Sequence, residues 1–143
     1  MKQLGLILMQ HSHAKFKADK AFTLVEMMIV VLVIALLATI AIPNLLRARV
    51  NAHDASAKAA LKTIATALET YATVNNEYPP DTTSLLAVTP PYLHIDYFTN
   101  AHNGFTFTSS ITPSTYTIVA YPASSGLGSG SFSISTGSVL TEN

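Results

Sequence analysis

Residues 20–43 read KAFTLVEMMIVVLVIALLATIAIP, and this stretch decides the fold. Phe22 to Ile42 spans 21 residues, which form a helix of about 31 Å and can cross the hydrocarbon core of a bilayer. Between Met27 and Ile42 only Thr39 is polar. The stretch therefore predicts a membrane-spanning helix near the start of the chain.

The positive charges on the two sides of this helix are unequal. Lys15, Lys17 and Lys20 precede it closely, whereas Arg47 and Arg49 follow it. Positively charged flanks favour the cytoplasmic side of a membrane, so three charges against two predict a cytoplasmic N-terminus. The rest of the chain is then expected on the far side of the membrane.

The order of segments before the helix differs from that of an ordinary secretory signal, in which the apolar stretch precedes a small-residue cleavage site. Here a basic stretch is followed by the small residue Ala21, and the apolar run comes only after it. A cut at Ala21 would leave the apolar helix on the mature protein.

Glu26 is the one charged residue within the apolar helix. An unpaired carboxylate inside a membrane costs about 2 to 4 kcal/mol, so Glu26 is a candidate functional residue. A cut before Phe22 would create an α-amino group four residues away, which can pair with Glu26 of the same chain or of a neighbour. Alternatively, Glu26 lies at the level of the lipid headgroups, where the positive end of the helix dipole stabilises it.

Residues 20–43 resemble the N-terminal signature of type IV prepilins and type II secretion pseudopilins. In that family a prepilin peptidase cuts before a Phe, which is then N-methylated, the fifth mature residue is a Glu, and the apolar helix runs to a Pro. The resemblance implies cleavage between Ala21 and Phe22, N-methylation of Phe22, and assembly through Phe22, Glu26 and Pro43. The family usually has Gly where this chain has Ala21.

The resemblance also implies a division of the chain into three parts. The expected parts are a prepilin leader peptide, 1–21; a hydrophobic transmembrane and assembly helix, 22–44; and a globular domain, 45–143, with an amphipathic helix, 45–74, a loop, 75–103, and an antiparallel sheet, 104–143.

Apolar residues at spacings of three, four or seven continue a helical pattern after Pro43. The apolar stripe consists of Leu46, Val50, Ala57, Leu61, Ile64, Leu68 and Tyr71, and a polar stripe of Arg47, Asn51, Lys58 and Lys62. Pro43 removes a hydrogen bond to the Thr39 carbonyl and is expected to kink the helix. Asn75, Asn76 and the two prolines that follow are expected to end it near Val74.

Short segments of alternating apolar residues in the C-terminal part predict an antiparallel sheet. The predicted strands are Phe105–Thr108, Tyr116–Ala120, Phe132–Ser135 and Val139–Leu140, and the loop before them is expected to contain one short turn at Ser84–Ala87. Their apolar faces can cover the helical stripe. The predicted class is α+β, with a long N-terminal helix packed through its second half on a small antiparallel sheet, as in pilins.

Composition argues against most kinds of binding site in the C-terminal part. No Lys or Arg follows Lys62, which disfavours a nucleic-acid partner. The chain has no cysteine, so disulfides and thiolate metal sites are excluded. His94, Asp96 and His102 match no known metal-ligand spacing. The calcium loop of secretion pseudopilins is also missing, because Glu142 is the one acidic side chain in the last 40 residues.

No phosphate loop, nucleophile elbow or cofactor motif is present, so neither an enzyme nor a cofactor is predicted. The expected function is a structural subunit of a type IV pilus filament. The precursor is expected in the inner membrane with its head in the periplasm, and the assembled subunit in an extracellular or periplasmic filament. The expected partners are identical or homologous pilin subunits, prepilin peptidase, the inner-membrane assembly machinery and the lipid bilayer. The alternatives are a type II secretion pseudopilin, a minor pilin, and a membrane-tethered periplasmic binding domain.

Overall fold

The computed structural model describes residues 22–143, so the expected leader and Ala21 lie outside the described residues. The elements are α1 (Leu24–Asn75), α2 (Ser84–Ala87), β1 (Phe105–Ile111), β2 (Tyr116–Pro122), β3 (Phe132–Ser135) and β4 (Val139–Glu142). The predicted α+β class is confirmed. The chain divides into two compact units, of which one ends at Ala38 and the other comprises Thr39–Asn143.

The unit that ends at Ala38 contains the apolar beginning of α1. Its large apolar side chains, from Leu24 to Leu37, are 47% to 74% exposed. In the described part of the chain, α1 is the one helix long and apolar enough to cross a membrane, with a mean hydropathy of 2.8 over its most apolar 18 residues. A continuous exposed surface of this kind is typical of a segment that lipid or other protein covers.

The continuation of α1 in the second unit is rich in alanine and other good helix formers. Thr63, Thr66, Thr70 and Thr73 each donate a side-chain hydrogen bond to the carbonyl four residues earlier, which satisfies their hydroxyls within the helix. Pro43 lies inside α1, and the kink expected there stays a prediction.

Two asparagines end the helix. The Asn75 side chain donates to the Tyr71 carbonyl at 2.9 Å, and Asn76 adopts a φ of 60° while its amide donates to the Ala72 carbonyl. A left-handed residue directly after the last helical turn is a common helix C-cap, and asparagine tolerates that conformation. The predicted helix end near Val74 is therefore correct to one residue.

The four strands form one antiparallel sheet in the order β1-β2-β3-β4. Alternate side chains on the first three strands are buried, as the sequence pattern predicts. The buried positions are Phe105, Phe107, Tyr116, Ile118, Ala120, Phe132 and Ile134. β1, β2 and β4 are longer than predicted. β1 continues to Ile111, which pairs with Tyr116, β2 continues to Pro122, which pairs with Phe105, and β4 continues to Glu142, which pairs with Phe132.

The helical stripe and the buried face of the sheet belong to one hydrophobic core. Leu61, Ile64 and Leu68 are fully buried in it, and each burial contributes about 1.5 to 3 kcal/mol to stability. Leu46, which the stripe also included, is instead 57% exposed. The buried positions of α1 begin at Asp54, so Leu46 precedes the part of the helix that the head covers.

The segment between α1 and β1 contributes Leu85, Leu93 and Tyr97 to the same core. The turn predicted at Ser84–Ala87 is the short helix α2. The amides of Tyr92 and Leu93 both donate to the Leu85 carbonyl, so this segment folds back on α2.

Candidate functional site

α1 begins two residues after the exposed Phe22, and Glu26 lies in its first turn. Glu26 Oε2 accepts hydrogen bonds from the amide and the hydroxyl of Thr23, both at 2.8 Å. The Glu26 amide in turn donates to Thr23 Oγ1 at 3.1 Å. This reciprocal pair is a capping box, which satisfies donors that the start of a helix leaves unpaired.

The capping box adds Thr23 to the residues that the sequence singled out. Its signal is the spacing Thr-x-x-Glu immediately before an apolar run, and the sequence interpretation missed it. The box accounts for Glu26 within a single chain, since the carboxylate both caps the helix and lies at the positive end of its dipole. The structure thus brings Glu26 together with Thr23, and both lie within five residues of the expected cut.

The second unit contains a polar cluster where α1 meets the loops of the head. Asp54 is 7% exposed, and its Oδ1 accepts a hydrogen bond from the Ser129 amide at 3.1 Å. His53 Nδ1 lies 2.8 Å from the Asn103 carbonyl oxygen, and the Asn103 side chain donates to Ser56 Oγ at 2.6 Å. These contacts attach two loops to one helical turn, which is a structural role.

Further along α1, Glu69 is a second anchor. Its Oε1 accepts hydrogen bonds from the Tyr116 hydroxyl at 3.1 Å and the Gly137 amide at 2.9 Å, and Oε2 accepts one from the Tyr78 hydroxyl at 3.0 Å. Burial, and then the hydrogen bond to Glu69, raises the pKa of Tyr78 to about 12. Glu69 therefore joins the helix to the turn between β3 and β4.

The acidic side chains of the loop are engaged in their own turns. Asp96 accepts hydrogen bonds from the Thr99 hydroxyl and the Phe98 amide, and these lower its pKa. His102 packs edge-on against Tyr97, with ring centroids 4.9 Å apart. Within residues 22–143, no three His, Asp or Glu side chains come close enough to hold a metal ion.

Asp81 is engaged in the same way. Its Oδ1 accepts hydrogen bonds from the Ser84 and Thr83 hydroxyls and from the Ser84 amide, and these bonds lower the pKa of the carboxyl. Both carboxylates therefore stabilise local turns.

Comparison with known proteins gives two relatives and one family motif. Residues 16–42 match the family described as the prokaryotic N-terminal methylation motif. The chain is 41% identical over 69 residues to the type IV wide pilus major component PilA4 of Thermus thermophilus, which is 48% of this chain and 53% of the relative. It is 38% identical over 60 residues to the type IV major pilin protein PilA of Myxococcus xanthus, which is 42% of this chain and 27% of that relative. The chain thus spans about half the length of the first relative and about a quarter of the second.

Proposed function

We propose that this chain, a member of the type IV pilin family, is a structural subunit that polymerises into a pilus filament through the apolar beginning of α1. One observation carries the proposal: the methylation motif at residues 16–42 coincides with an exposed apolar helix that contains a single carboxylate, Glu26, in its first turn. The relatives, which are named as major pilins, support the same function.

The precursor is first inserted in the inner membrane, with its N-terminus in the cytoplasm and its head in the periplasm. The unequal lysine and arginine flanks support this orientation. Prepilin peptidase then cuts between Ala21 and Phe22, and Phe22 is N-methylated. The cut leaves the apolar helix on the mature subunit, which the membrane holds until assembly.

Assembly transfers the apolar helix from lipid into a bundle of equivalent helices, where its exposed side chains pack against those of other subunits. The N-methylated Phe22 amine of an incoming subunit pairs with Glu26 of a neighbour. Breaking such a pair by removing one partner costs about 3 to 5 kcal/mol in a low-dielectric environment, because one charge is left buried alone. The pair therefore fixes the axial register of neighbouring subunits.

Replacing Glu26 tests this mechanism. Glu26→Ala is expected to leave the protein in the inner membrane but to reduce the amount in sheared surface filaments by at least about a hundredfold. The matched control is Thr23→Val, which removes the hydroxyl of the capping box and keeps the carboxylate. Immunoblots of membrane and sheared fractions measure both variants.

The control variant loses part of the helix cap, worth about 1 kcal/mol, and is expected to form filaments. Normal filaments from Glu26→Ala would contradict the register mechanism. Loss of filaments from both variants would mean that the local cap, not the charge pair, is what assembly requires.

A further inference from the structure

The acidic side chains of the described residues are almost all used within the chain. Those with a hydrogen-bond or ion-pair partner are Glu26, Asp54, Glu69, Asp81, Asp96 and Glu142. Glu77 is the exception among residues 22–143, since it is exposed and has no such partner. One carboxylate therefore remains available for contacts outside the chain.

The basic side chains show the opposite balance. Lys58 pairs with Glu142 and lies 4.7 Å from the centroid of the Phe132 ring. In the part of the chain that the structure describes, Arg47, Arg49 and Lys62 are exposed and have no ion-pair partner. The exposed charges without an ion-pair partner are thus one carboxylate, at Glu77, and three basic groups of opposite sign.

These complementary charges cannot meet within one chain. Arg49 lies 26 residues before the end of α1 at Asn75, a distance of about 39 Å at the rise of an α-helix. Glu77 follows the helix by two residues, after the left-handed Asn76. Any contact between Arg49 and Glu77 must therefore join two molecules.

The two arginines lie at a groove of about 490 Å³. Its other lining residues are Leu46, Val50, Asn51, Gly126 and Leu127. Arginine binds a carboxylate through two parallel hydrogen bonds, and Leu46 and Leu127 offer apolar surface beside that contact. At the other end of the head, Glu77 lies beside Tyr78, Pro80, Ile111 and Pro113, so it also projects from a partly apolar surface.

We propose that the groove at Arg47 and Arg49 receives the Glu77 end of a second copy of this chain, displaced by about 40 Å along the helix direction. The proposal rests on the proposed filament function and names one of its contacts. Because the two surfaces lie at opposite ends of the head, the contact is head-to-tail, and each added copy presents a new free groove. A head-to-tail contact closes into a ring only when successive copies return to the starting position, and a displacement along the helix direction prevents that, so this contact generates an open filament.

Charge reversal tests the contact. Arg47→Glu with Arg49→Glu, and separately Glu77→Arg, are expected to lower the yield of sheared filaments about tenfold while the membrane pool is unchanged. The three substitutions together restore complementarity, and the yield is expected to return to within about threefold of the original chain. Lys62→Glu is the matched control, an exposed unpaired lysine on the same helix outside the groove, and it is expected to assemble normally.

Cysteine cross-linking gives a second measurement, which does not depend on assembly tolerating a reversed charge. The chain has no native cysteine. In filaments of a chain that carries both Arg49→Cys and Glu77→Cys, oxidation is expected to produce a ladder of cross-linked multimers. Lys62→Cys combined with Glu77→Cys is the control and is expected to remain monomeric.

The outcomes separate this proposal from the filament function. A normal filament yield from Glu77→Arg would overturn the contact alone, and so would a triple variant whose filament yield stays low. Loss of filaments from the arginine variant only would assign the groove to another ligand, such as anionic lipid headgroups. An original chain that never appears in sheared filaments would overturn the filament function together with this contact.

Discussion

The Glu69 carboxylate holds two tyrosine hydroxyls that come from different parts of the head. Tyr116 is 1% exposed and its hydroxyl donates to this carboxylate, and the Gly137 amide adds a third donor. Leaving a buried hydroxyl unpaired costs about 1 to 3 kcal/mol. The arrangement is stable only while the tyrosines keep their protons, because an ionised phenol beside Glu69 would be repelled.

This arrangement predicts a loss of stability at alkaline pH. The pKa of Tyr78 is raised from 10.0 in the unfolded chain to about 12 in the fold, by burial and by the Glu69 hydrogen bond. Between pH 10 and 12 the unfolded state has lost this proton while the folded state retains it, so stability is full below pH 10 and falls as pH rises toward 12. Thermal unfolding in detergent, followed by circular dichroism, is expected to show a falling melting temperature over this range.

Tyr78→Phe is expected to make that fall shallower. It does not remove the fall, since burial also raises the pKa of Tyr116. Tyr121→Phe is the control, because Tyr121 is exposed and its hydroxyl has no partner among the described residues. An identical pH dependence in the Tyr78→Phe variant and the original chain would contradict the assigned hydrogen bond.

The roles of single residues were harder to predict from the sequence than the helices and strands that contain them. Glu26 stands out because it is the one charge in an apolar run, and its cap follows from the Thr-x-x-Glu spacing. Asp54 and Glu69 gave no such signal, because each has partners more than 45 positions away in the chain. Their roles depend on tertiary contacts, which the local pattern does not contain.

At the scale of elements, hydrophobic periodicity predicted most of the fold. The stripe through Leu61, Ile64 and Leu68 identified the buried face of α1, and β3 was predicted to the residue. The ends of β1, β2 and β4 were missed, because their outer residues are held by backbone pairing with the neighbouring strand, which the side-chain pattern does not indicate. Lys58 was assigned to the polar stripe of the helix, and in the structure its long side chain lies over Phe132 and pairs with Glu142.

The loop that connects β2 and β3 packs closely on Asp54 of α1 and Phe105 of β1 at Gly128. A Cβ at position 128 would lie 2.4 Å from Phe105 Cζ and 3.1 Å from Asp54 Oδ1. Phe105 is fully buried and cannot move away freely. Gly128→Ala is therefore expected to destabilise the head by about 1 to 3 kcal/mol, measured by urea unfolding in detergent.

Ser129→Ala is the matched control for this substitution. It changes the neighbouring side chain and keeps the amide that donates to Asp54, so its free energy of unfolding is expected to stay within about 0.5 kcal/mol of the original chain. Equal stability of Gly128→Ala and Ser129→Ala would mean that the loop does not pack closely on Phe105.

At the scale of the whole molecule, the two compact units have different surfaces. In the unit that ends at Ala38, the large apolar side chains of the described residues are exposed, whereas the unit Thr39–Asn143 has its own hydrophobic core. The exposed apolar side chains of the first unit are removed from water only when other molecules cover them. In the proposed function, lipid covers them before assembly and equivalent helices cover them in the filament.

The central claim is that the chain loses residues 1–21 and enters the filament through Phe22 and Glu26. Mass spectrometry of the N-terminal peptide of protein from sheared filaments tests it most directly. The mature chain is expected to begin at Phe22 and to carry a methyl group on its α-amine. Filament protein that retains residues 1–21, or that begins elsewhere, would contradict it.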